Sequence, residues 1–379
     1  MHFFGRLTLV FLSFIVAFTT FAQTPIPAAP SINAKSYLVR DHNSGKIIAE
    51  KNAHDRVAPA SITKLMTAYV TFKKLAEGSV TLDSMVPISK RAYDAEGSRM
   101  FVEINSQVSL EDLIQGMIVQ SGNDASIAIA EFLGGTEEVF ATLMNYHADA
   151  LGMTNSQFMN STGLPDEGHY STAWDIATLS SAIINEFPDY YRWYSQKKFT
   201  WNSIPQSNRN TLLWTDETVD GLKTGYTKEA GYCLVSSALR GEMRIISVVL
   251  GTPTEKGRAN ASRSLLNYAF SFYRTHRLYE RGAELGTAKV WKADNQSLPV
   301  GLENELYITI PKGQYESLEA SMNLQEPLTA PLAANTPLGS VTIKLQDDVI
   351  AQVPLIALRD VPEGSVFRRL SDSVMLWFE

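Results

Sequence analysis

The chain has 379 residues, 45% of them hydrophobic and 19% charged, and a formal net charge of −7. That length fits two or three domains, and the composition is that of a globular protein rather than a disordered chain or a bundle of membrane spans. The acidic balance, with no long basic run to offset it, argues against a nucleic-acid partner.

His2 and Arg6 precede an apolar stretch from Leu7 to Phe18, and Thr20-Phe21-Ala22 follows. A positive flank, a short apolar core and small residues at the −3 and −1 positions predict a secretory signal peptide over residues 1–22. The alternative is an N-terminal membrane anchor, for which twelve residues are short against about 30 Å of hydrocarbon. Export to a periplasm follows from the first reading. Cys233 is the sole cysteine, so no intrachain disulfide is possible and stability must come from core burial. Its apolar setting, Tyr232-Cys-Leu-Val235, marks it as a small buried residue rather than a reactive thiol.

After a Pro/Ala-rich leader at 25–30, Ser36–Arg40 and Lys46–Glu50 flank Asp41-His-Asn-Ser-Gly45, the pattern of a hairpin. From Ser61 the period turns helical, with Ile62, Leu65, Met66 and Tyr69 on one face, and Leu110, Leu113, Ile114, Met117 and Ile118 repeat it. Thr172-Ala-Trp-Asp175 resembles a capping box ahead of the stripe Ile176, Leu179, Ile183. Strand character returns at Val219–Thr224, Tyr232–Leu239 and Arg244–Leu250, and a helix carrying Leu265, Leu266, Ala269, Phe270 and Tyr273 follows. This alternation predicts a mixed sheet in which the N-terminal hairpin joins the C-terminal strands.

Beyond Arg277 the helical period is lost. Short strand-like runs at Ala288–Trp291, Leu306–Ile310, Leu318–Leu324, Ser340–Leu345 and Val349–Leu355 predict a small all-β domain over 277–360, after a first domain over 23–276. In the tail, 361–379, Val366, Leu370, Val374 and Trp377 share a helical face with Phe367 and Phe378 alongside. Such a helix can lie in a membrane interface, or dock on the β domain.

Ser61-Ile-Thr-Lys64 sets a hydroxyl and an amine one helical turn apart, the geometry of a nucleophile and its base if the amine is desolvated. The spacing alone is also that of a helix cap beside a solvated lysine, and Ser195-Gln-Lys-Lys198 repeats it without supporting context. Ser121-Gly122-Asn123 could supply a second hydroxyl and an amide, or merely cap the helix starting at Asp124. Lys223-Thr224-Gly225 ends a strand, where alternation points Lys223 and Gly225 to one face and Thr224 to the other. A glycine there lets another backbone approach closely.

In this order the three motifs form the set shared by penicillin-binding proteins and class A β-lactamases. From about residue 33 onward the chain resembles the D-alanyl-D-alanine carboxypeptidases of the low-molecular-mass penicillin-binding protein family. Supporting stretches are Ala58-Pro-Ala-Ser-Ile-Thr-Lys-Leu-Met66, Ser121-Gly-Asn-Asp124, Asn208-Arg-Asn210, Leu212-Leu-Trp214 and Gly221-Leu-Lys-Thr-Gly-Tyr226. The resemblance implies an α+β catalytic domain (an antiparallel sheet flanked by helices), a small β-rich domain and a C-terminal amphipathic helix that contacts the inner membrane peripherally.

It further implies that Ser61 attacks the penultimate D-alanine carbonyl of peptidoglycan stem peptides ending in D-Ala-D-Ala, with Lys64 taking its proton. Ser121 would relay a proton to the leaving amine, Asn123 hold the substrate amide, Lys223 support Ser121, and Thr224 bind the terminal carboxylate with Arg258 as a further partner. The N–H groups of Ser61 and Tyr226, beside Gly225, would form the oxyanion hole. β-Lactam antibiotics would acylate the same serine, and no cofactor is implied. Two residues depart from the family pattern: Tyr226 stands where many relatives have His, and Ser126 where they often have Cys.

Rival chemistries find less support. No G-x-S-x-G occurs and neither His54 nor His169 belongs to a nucleophile motif; no H-E-x-x-H or cysteine cluster marks a metal site. A β-lactamase would need a deacylating base, and the stretch 161–175, with Asp166 and Glu167, does not resemble the Glu-containing loop of class A enzymes. A D,D-endopeptidase using the same site, and a non-catalytic wall scaffold, complete the alternatives.

Overall fold

The computed structural model describes residues 26–378; the expected signal peptide over 1–22 lies outside them. Strands β1 (Ser36–Asp41) and β2 (Ile47–Lys51) form the N-terminal hairpin. Its loop is closed by Asp41, whose Oδ1 accepts the Ser44 N–H at 2.7 Å, and by Gly45 at φ +72°. A block of helices follows: α1 (Lys64–Ala76), α2 (Leu110–Val119), α3 (Asn123–Gly134), α4 (Glu137–Ala150) and α5 (Ala173–Glu186). Strands β3 (Val219–Thr227), β4 (Gly231–Arg240) and β5 (Met243–Thr252) then return to the sheet, and α6 (Glu255–Phe272) packs across it.

The sheet order is β2-β1-β5-β4-β3, and every pairing is antiparallel. The expectation of a mixed sheet therefore fails, while the antiparallel sheet implied by the family resemblance holds. Tight turns join β1 to β2, β3 to β4 and β4 to β5, the last at Gly241, φ +61°, and a hairpin leaves no room for the long crossover a parallel pair needs. Alternation along the strands serves two cores at once. Leu38 and Val248 face the helical block, whereas their neighbours Val39 and Val249 pack under α6.

Helix α1 is more deeply set than its apolar stripe predicts, because Lys64 through Phe72 are all buried. The polar residues this takes inside bond locally: Thr71 Oγ1 donates to the Thr67 carbonyl and Thr67 Oγ1 to the Ser161 carbonyl, both at 2.7 Å. At α5, the cap at Thr172 forms, its hydroxyl accepting the Asp175 N–H at 3.0 Å. Asp175 does not reciprocate as in a capping box; it accepts instead from the Asn155 N–H at 3.0 Å and the Ser156 hydroxyl at 2.7 Å, tying down the preceding loop.

The β-rich domain starts as α6 ends. Strand β6 (Tyr273–Tyr279) begins at a residue that the helical stripe assigns to the helix, and pairs with β9 (Leu306–Pro311). Strands β7 (Glu284–Trp291), β8 (Ser297–Gly301), β10 (Leu318–Leu324), β11 (Pro337–Leu345) and β12 (Asp348–Ala357) form one sheet with the short strand Leu328–Thr329. Strands β6 and β8 escaped the sequence reading, the latter because Pro and Gly break its five residues. A buried polar joint ties the two domains: Thr275 donates to Asp41 Oδ2 at 2.6 Å and meets Thr309, which also contacts Ser44.

The tail forms α7 (Val366–Met375) and docks by its polar side. Asp372 is buried and accepts the Lys292 N–H at 2.6 Å and Gln296 Nε2 at 3.0 Å. Phe367, Leu370, Val374 and Trp377 consequently face outward, Trp377 with 91% of its surface exposed. Among the described residues no helix is long and apolar enough to cross a membrane.

Candidate active site

The Ser61 region is not the start of an α-helix, as the period predicts, but a 3₁₀ turn, Ala60–Thr63, that runs directly into α1. Ser61 makes no capping bond there. Its Oγ lies 3.1 Å from Lys64 Nζ, so neither the capping role nor a solvated lysine survives. Lys64 is 1% exposed, and its amine also donates to Asn123 Oδ1 at 2.6 Å and the Thr162 carbonyl at 2.7 Å. Burial drives its pKa down to about 7, against the opposing pull of the Asp124 carboxylate. An amine that is neutral for part of the population near neutral pH spends two N–H bonds on Asn123 and Thr162, and its lone pair remains for the serine proton.

The second motif arrives on the turn into α3. Ser121 holds a left-handed conformation (φ +65°), and Ala60 does the same beside Ser61 (φ +50°). Non-glycine residues in that region carry backbone strain, which concentrates at functional sites. Asn123, the first residue of α3, bridges the motifs: Oδ1 takes Lys64, and Nδ2 donates to the Glu96 carbonyl at 2.6 Å. The next residue, Asp124, accepts the N–H groups of Met100 at 2.9 Å and Phe101 at 2.8 Å, fixing the loop that forms one wall.

The third motif lies on β3, the edge strand of the sheet. Lys223 Nζ donates to Ser121 Oγ at 2.8 Å and to the Thr224 carbonyl at 3.0 Å. Its pKa is held well below the ordinary lysine value by burial, and then by the positive charges of Lys64, Arg209 and Arg258. Gly225 is the point of close approach. A Cβ there would sit 3.1 Å from both the Pro59 carbonyl oxygen and the Ser61 nitrogen. Lys223 reaches Ser121 and Gly225 abuts the Ser61 turn, on one side of β3 as alternation requires, while Thr224 lines the same cleft from the strand edge. Tyr226 is half-exposed, its ring 4.2 Å from that of Tyr232.

All three motifs meet in one cleft of about 440 Å³, lined by Ser61, Ser121, Asn123, Thr224, Gly225, Tyr226 and Arg258 among others. Arg258 lies at its floor, buried, donating to the Gly225 carbonyl at 3.1 Å and Glu255 at 3.0 Å. The rival residues fall elsewhere. His54 stacks on Trp174 at 4.8 Å, and Asp166 and Glu167 line a separate cavity. Cys233 is buried opposite Gly225 in the β3–β4 register, and burial pushes its thiol up to about 11.

The family model described as D-alanyl-D-alanine carboxypeptidase matches residues 23–254. The chain belongs to the D-alanyl-D-alanine carboxypeptidase family. Residues 273–363 match the model described as the penicillin-binding protein 5 C-terminal domain. The chain is 42% identical over 373 residues to D-alanyl-D-alanine carboxypeptidase DacC of Escherichia coli, covering 96% of this chain and 93% of that protein. Penicillin-binding protein 5 of Haemophilus influenzae superimposes with a TM-score of 0.85 at 40% identity, over 90% of this chain and 100% of that one. Penicillin-binding protein D2 of Listeria monocytogenes, in its cefotaxime-bound form, matches at 29% identity and a TM-score of 0.60, over 64% of this chain and 100% of that one.

Several site residues carry no motif that sequence reading can catch. Thr162 contributes only a carbonyl. Gly163 (φ +82°) is needed because a Cβ there would fall 1.8 Å from the Ala60 carbonyl oxygen, inside the turn that carries Ser61. Arg209 lines the cleft from within Asn208-Arg-Asn210, a stretch whose resemblance was legible though its role was not. His169 sits behind the Ser61 turn: Nδ1 accepts the Met159 N–H at 3.3 Å, leaving Nε2–H to donate to Thr63 Oγ1 at 2.8 Å. Burial lowers its pKa to about 4, which keeps that tautomer neutral.

Proposed function

We propose that this protein is a serine-type D-Ala-D-Ala carboxypeptidase that trims the terminal D-alanine from peptidoglycan stem peptides, working through an acyl-enzyme on Ser61. The observation that carries the assignment of roles is the buried Lys64 amine touching Ser61 Oγ. Ser61 Oγ attacks the penultimate D-alanine carbonyl as its proton passes to Lys64. The oxyanion is received by the N–H groups of Ser61 and Tyr226, each such donor being worth about 10²–10³ in rate. Ser121, polarised by Lys223, passes a proton to the departing D-alanine amine. Thr224 and Arg258 hold the terminal carboxylate, and Asn123 the substrate amide. Water then cleaves the ester and restores Ser61. Penicillins acylate the same oxygen, and their adduct clears more slowly because nothing leaves the cleft when the β-lactam ring opens.

Incubation with a pentapeptide ending in D-Ala-D-Ala tests the reaction: free D-alanine and a tetrapeptide are expected. Formation of cross-linked dimer, or cleavage of cross-bridges alone, would overturn it in favour of a transpeptidase or an endopeptidase.

The same reading places the enzyme in the periplasm, exported by residues 1–22 and resting on the inner membrane through α7. What supports the membrane contact is the outward apolar face of Phe367, Leu370, Val374 and Trp377 on a helix held by its polar side. Truncation after Val361 is expected to release the protein from membrane pellets with carboxypeptidase activity intact; continued sedimentation with membranes would refute it.

A further inference from the structure

Glu137 lies outside the three motifs, yet it ends a chain of contacts that begins at the base. It occupies the first turn of α4 and is buried. Its Oε1 accepts both the N–H and the hydroxyl of Ser161, at 2.9 and 2.6 Å, and its Oε2 accepts Arg91 Nη2 at 2.6 Å. The Ser161 carbonyl in turn takes Thr67 Oγ1 at 2.7 Å. Ser161 is therefore held at three points, and the next carbonyl along the chain, that of Thr162, is the one that accepts the Lys64 amine at 2.7 Å.

We propose that Glu137 is a positioning residue for acylation: through Ser161 and Thr162 it fixes the direction of the Lys64 lone pair, and its buried negative charge strengthens Lys64 as a base. The inference rests on the reading of Ser61 as nucleophile and Lys64 as its base. Geometry supplies the first half. A neutral amine bonded to Asn123 Oδ1 and the Thr162 carbonyl has one direction left, and at present that direction is Ser61. Slack at Thr162 would let the amine turn away.

Charge supplies the second half. A neutral amide could make both bonds to Ser161, so the buried carboxylate carries a desolvation cost that hydrogen bonding alone does not require. The groups facing Lys64 are Asp124 and Glu137 on the negative side and Arg209 on the positive, with Lys223 and His169 also within electrostatic reach. Glu137 itself faces Arg91, which also pairs with the exposed Glu138 and lies within reach of Glu131. Of the two carboxylates favouring the protonated lysine, Asp124 is committed to the wall loop, and Glu137 is the one wired to a Lys64 ligand.

The test is the rate of covalent labelling by fluorescent penicillin, followed from about pH 5 to about pH 9 to bracket the Lys64 titration. Glu137→Gln keeps an acceptor for Ser161 and loses the charge. Its acid limb is expected to move to lower pH by about half a unit or more, with a plateau rate lowered about two- to tenfold because the base is weaker. Arg91→Gln unmasks the carboxylate and is expected to move the limb the other way, by less, since Arg91 is half-exposed and screened. Glu138→Gln, on the same arginine, is expected to leave the limb in place.

A Glu137→Gln profile that overlays wild type in both limb and plateau overturns the proposal, as does the same shift in Glu138→Gln. Should Glu137→Gln fail to fold, the sign of the Arg91→Gln shift decides: no shift, or a shift to lower pH, sinks the idea. Labelling that persists in Ser61→Ala overturns the nucleophile assignment instead, whatever Glu137 does.

Discussion

Two places in the chain carry a serine and a lysine three residues apart, and only at Ser61 do the two side chains meet beside a cleft. At Ser61 the 3₁₀ turn flows into α1 without a break, so the hydroxyl and the amine stay on one side of a continuous helix, 3.1 Å apart. At Ser195 the chain also leaves a short 3₁₀ turn, Arg192–Ser195, but Gln196 is extended and Lys198 opens a surface strand. There the serine hydroxyl donates to the Arg192 carbonyl at 2.8 Å, and the lysine is exposed. Spacing brings two side chains together only while the backbone stays helical between them. Burial then decides whether the amine is a base or a solvated cation, since only a desolvated lysine gives up its proton near neutral pH.

Substitution at each place sharpens this contrast. Ser61→Ala should abolish both covalent penicillin labelling and D-alanine release, the largest effect expected anywhere in the chain. Gly163→Ala comes next. Its Cβ would press on the Ala60 carbonyl from 1.8 Å, so the turn that carries Ser61 must shift. A displacement approaching 1 Å costs about 10² in rate. Steady-state D-alanine release should show that fall in kcat/KM, and a wild-type value would mean that the turn tolerates movement.

Changing pH probes the burial half of the contrast. On the proposed mechanism Lys64 acts only when neutral, and burial lowers its pKa to about 7, so acylation should be near its plateau above that pH. Below it the rate should fall about tenfold per unit. A pH–rate profile flat down to about pH 5 would show that some other group takes the proton. The smallest effects belong to the second site: Ser195→Ala and Lys198→Ala should leave activity unchanged and stability within about 0.5 kcal/mol in urea denaturation. Any loss of penicillin labelling in either would collapse the distinction between the two sites.

Much of the fold was legible because alternation and helical period are local signals. The strands β3, β4 and β5 and the helices carrying Ile114, Ile176 and Leu265 stand where the pattern puts them. Strand β6 was missed because Tyr273 continues the helical stripe of α6, and only pairing with β9 makes it a strand. The direction of the sheet was misread from alternation alone, since period does not encode whether neighbours run the same way. In the site, side chains with a motif were legible, whereas Thr162, Gly163 and Glu137 act through a carbonyl, a missing Cβ and a two-step contact.

What the sequence determined by itself is the inventory: a hydroxyl and an amine in helical register at Ser61 and Lys64, a second pair in Ser121 and Asn123, and a glycine-ended strand at Lys223. Their order along the chain identified the family, because three weak patterns in a fixed order are far rarer than any one. Tertiary structure alone decided that these patterns converge, with Gly225 letting β3 lie against the Ser61 turn and Asn123 reaching Lys64 across 59 residues of chain. It also decided the chemistry. A lysine's affinity for its proton depends on what surrounds it, and the surroundings of Lys64 (Thr162, Asn123, Asp124 and the wall of α1) are contributed by segments that meet only when the chain is folded.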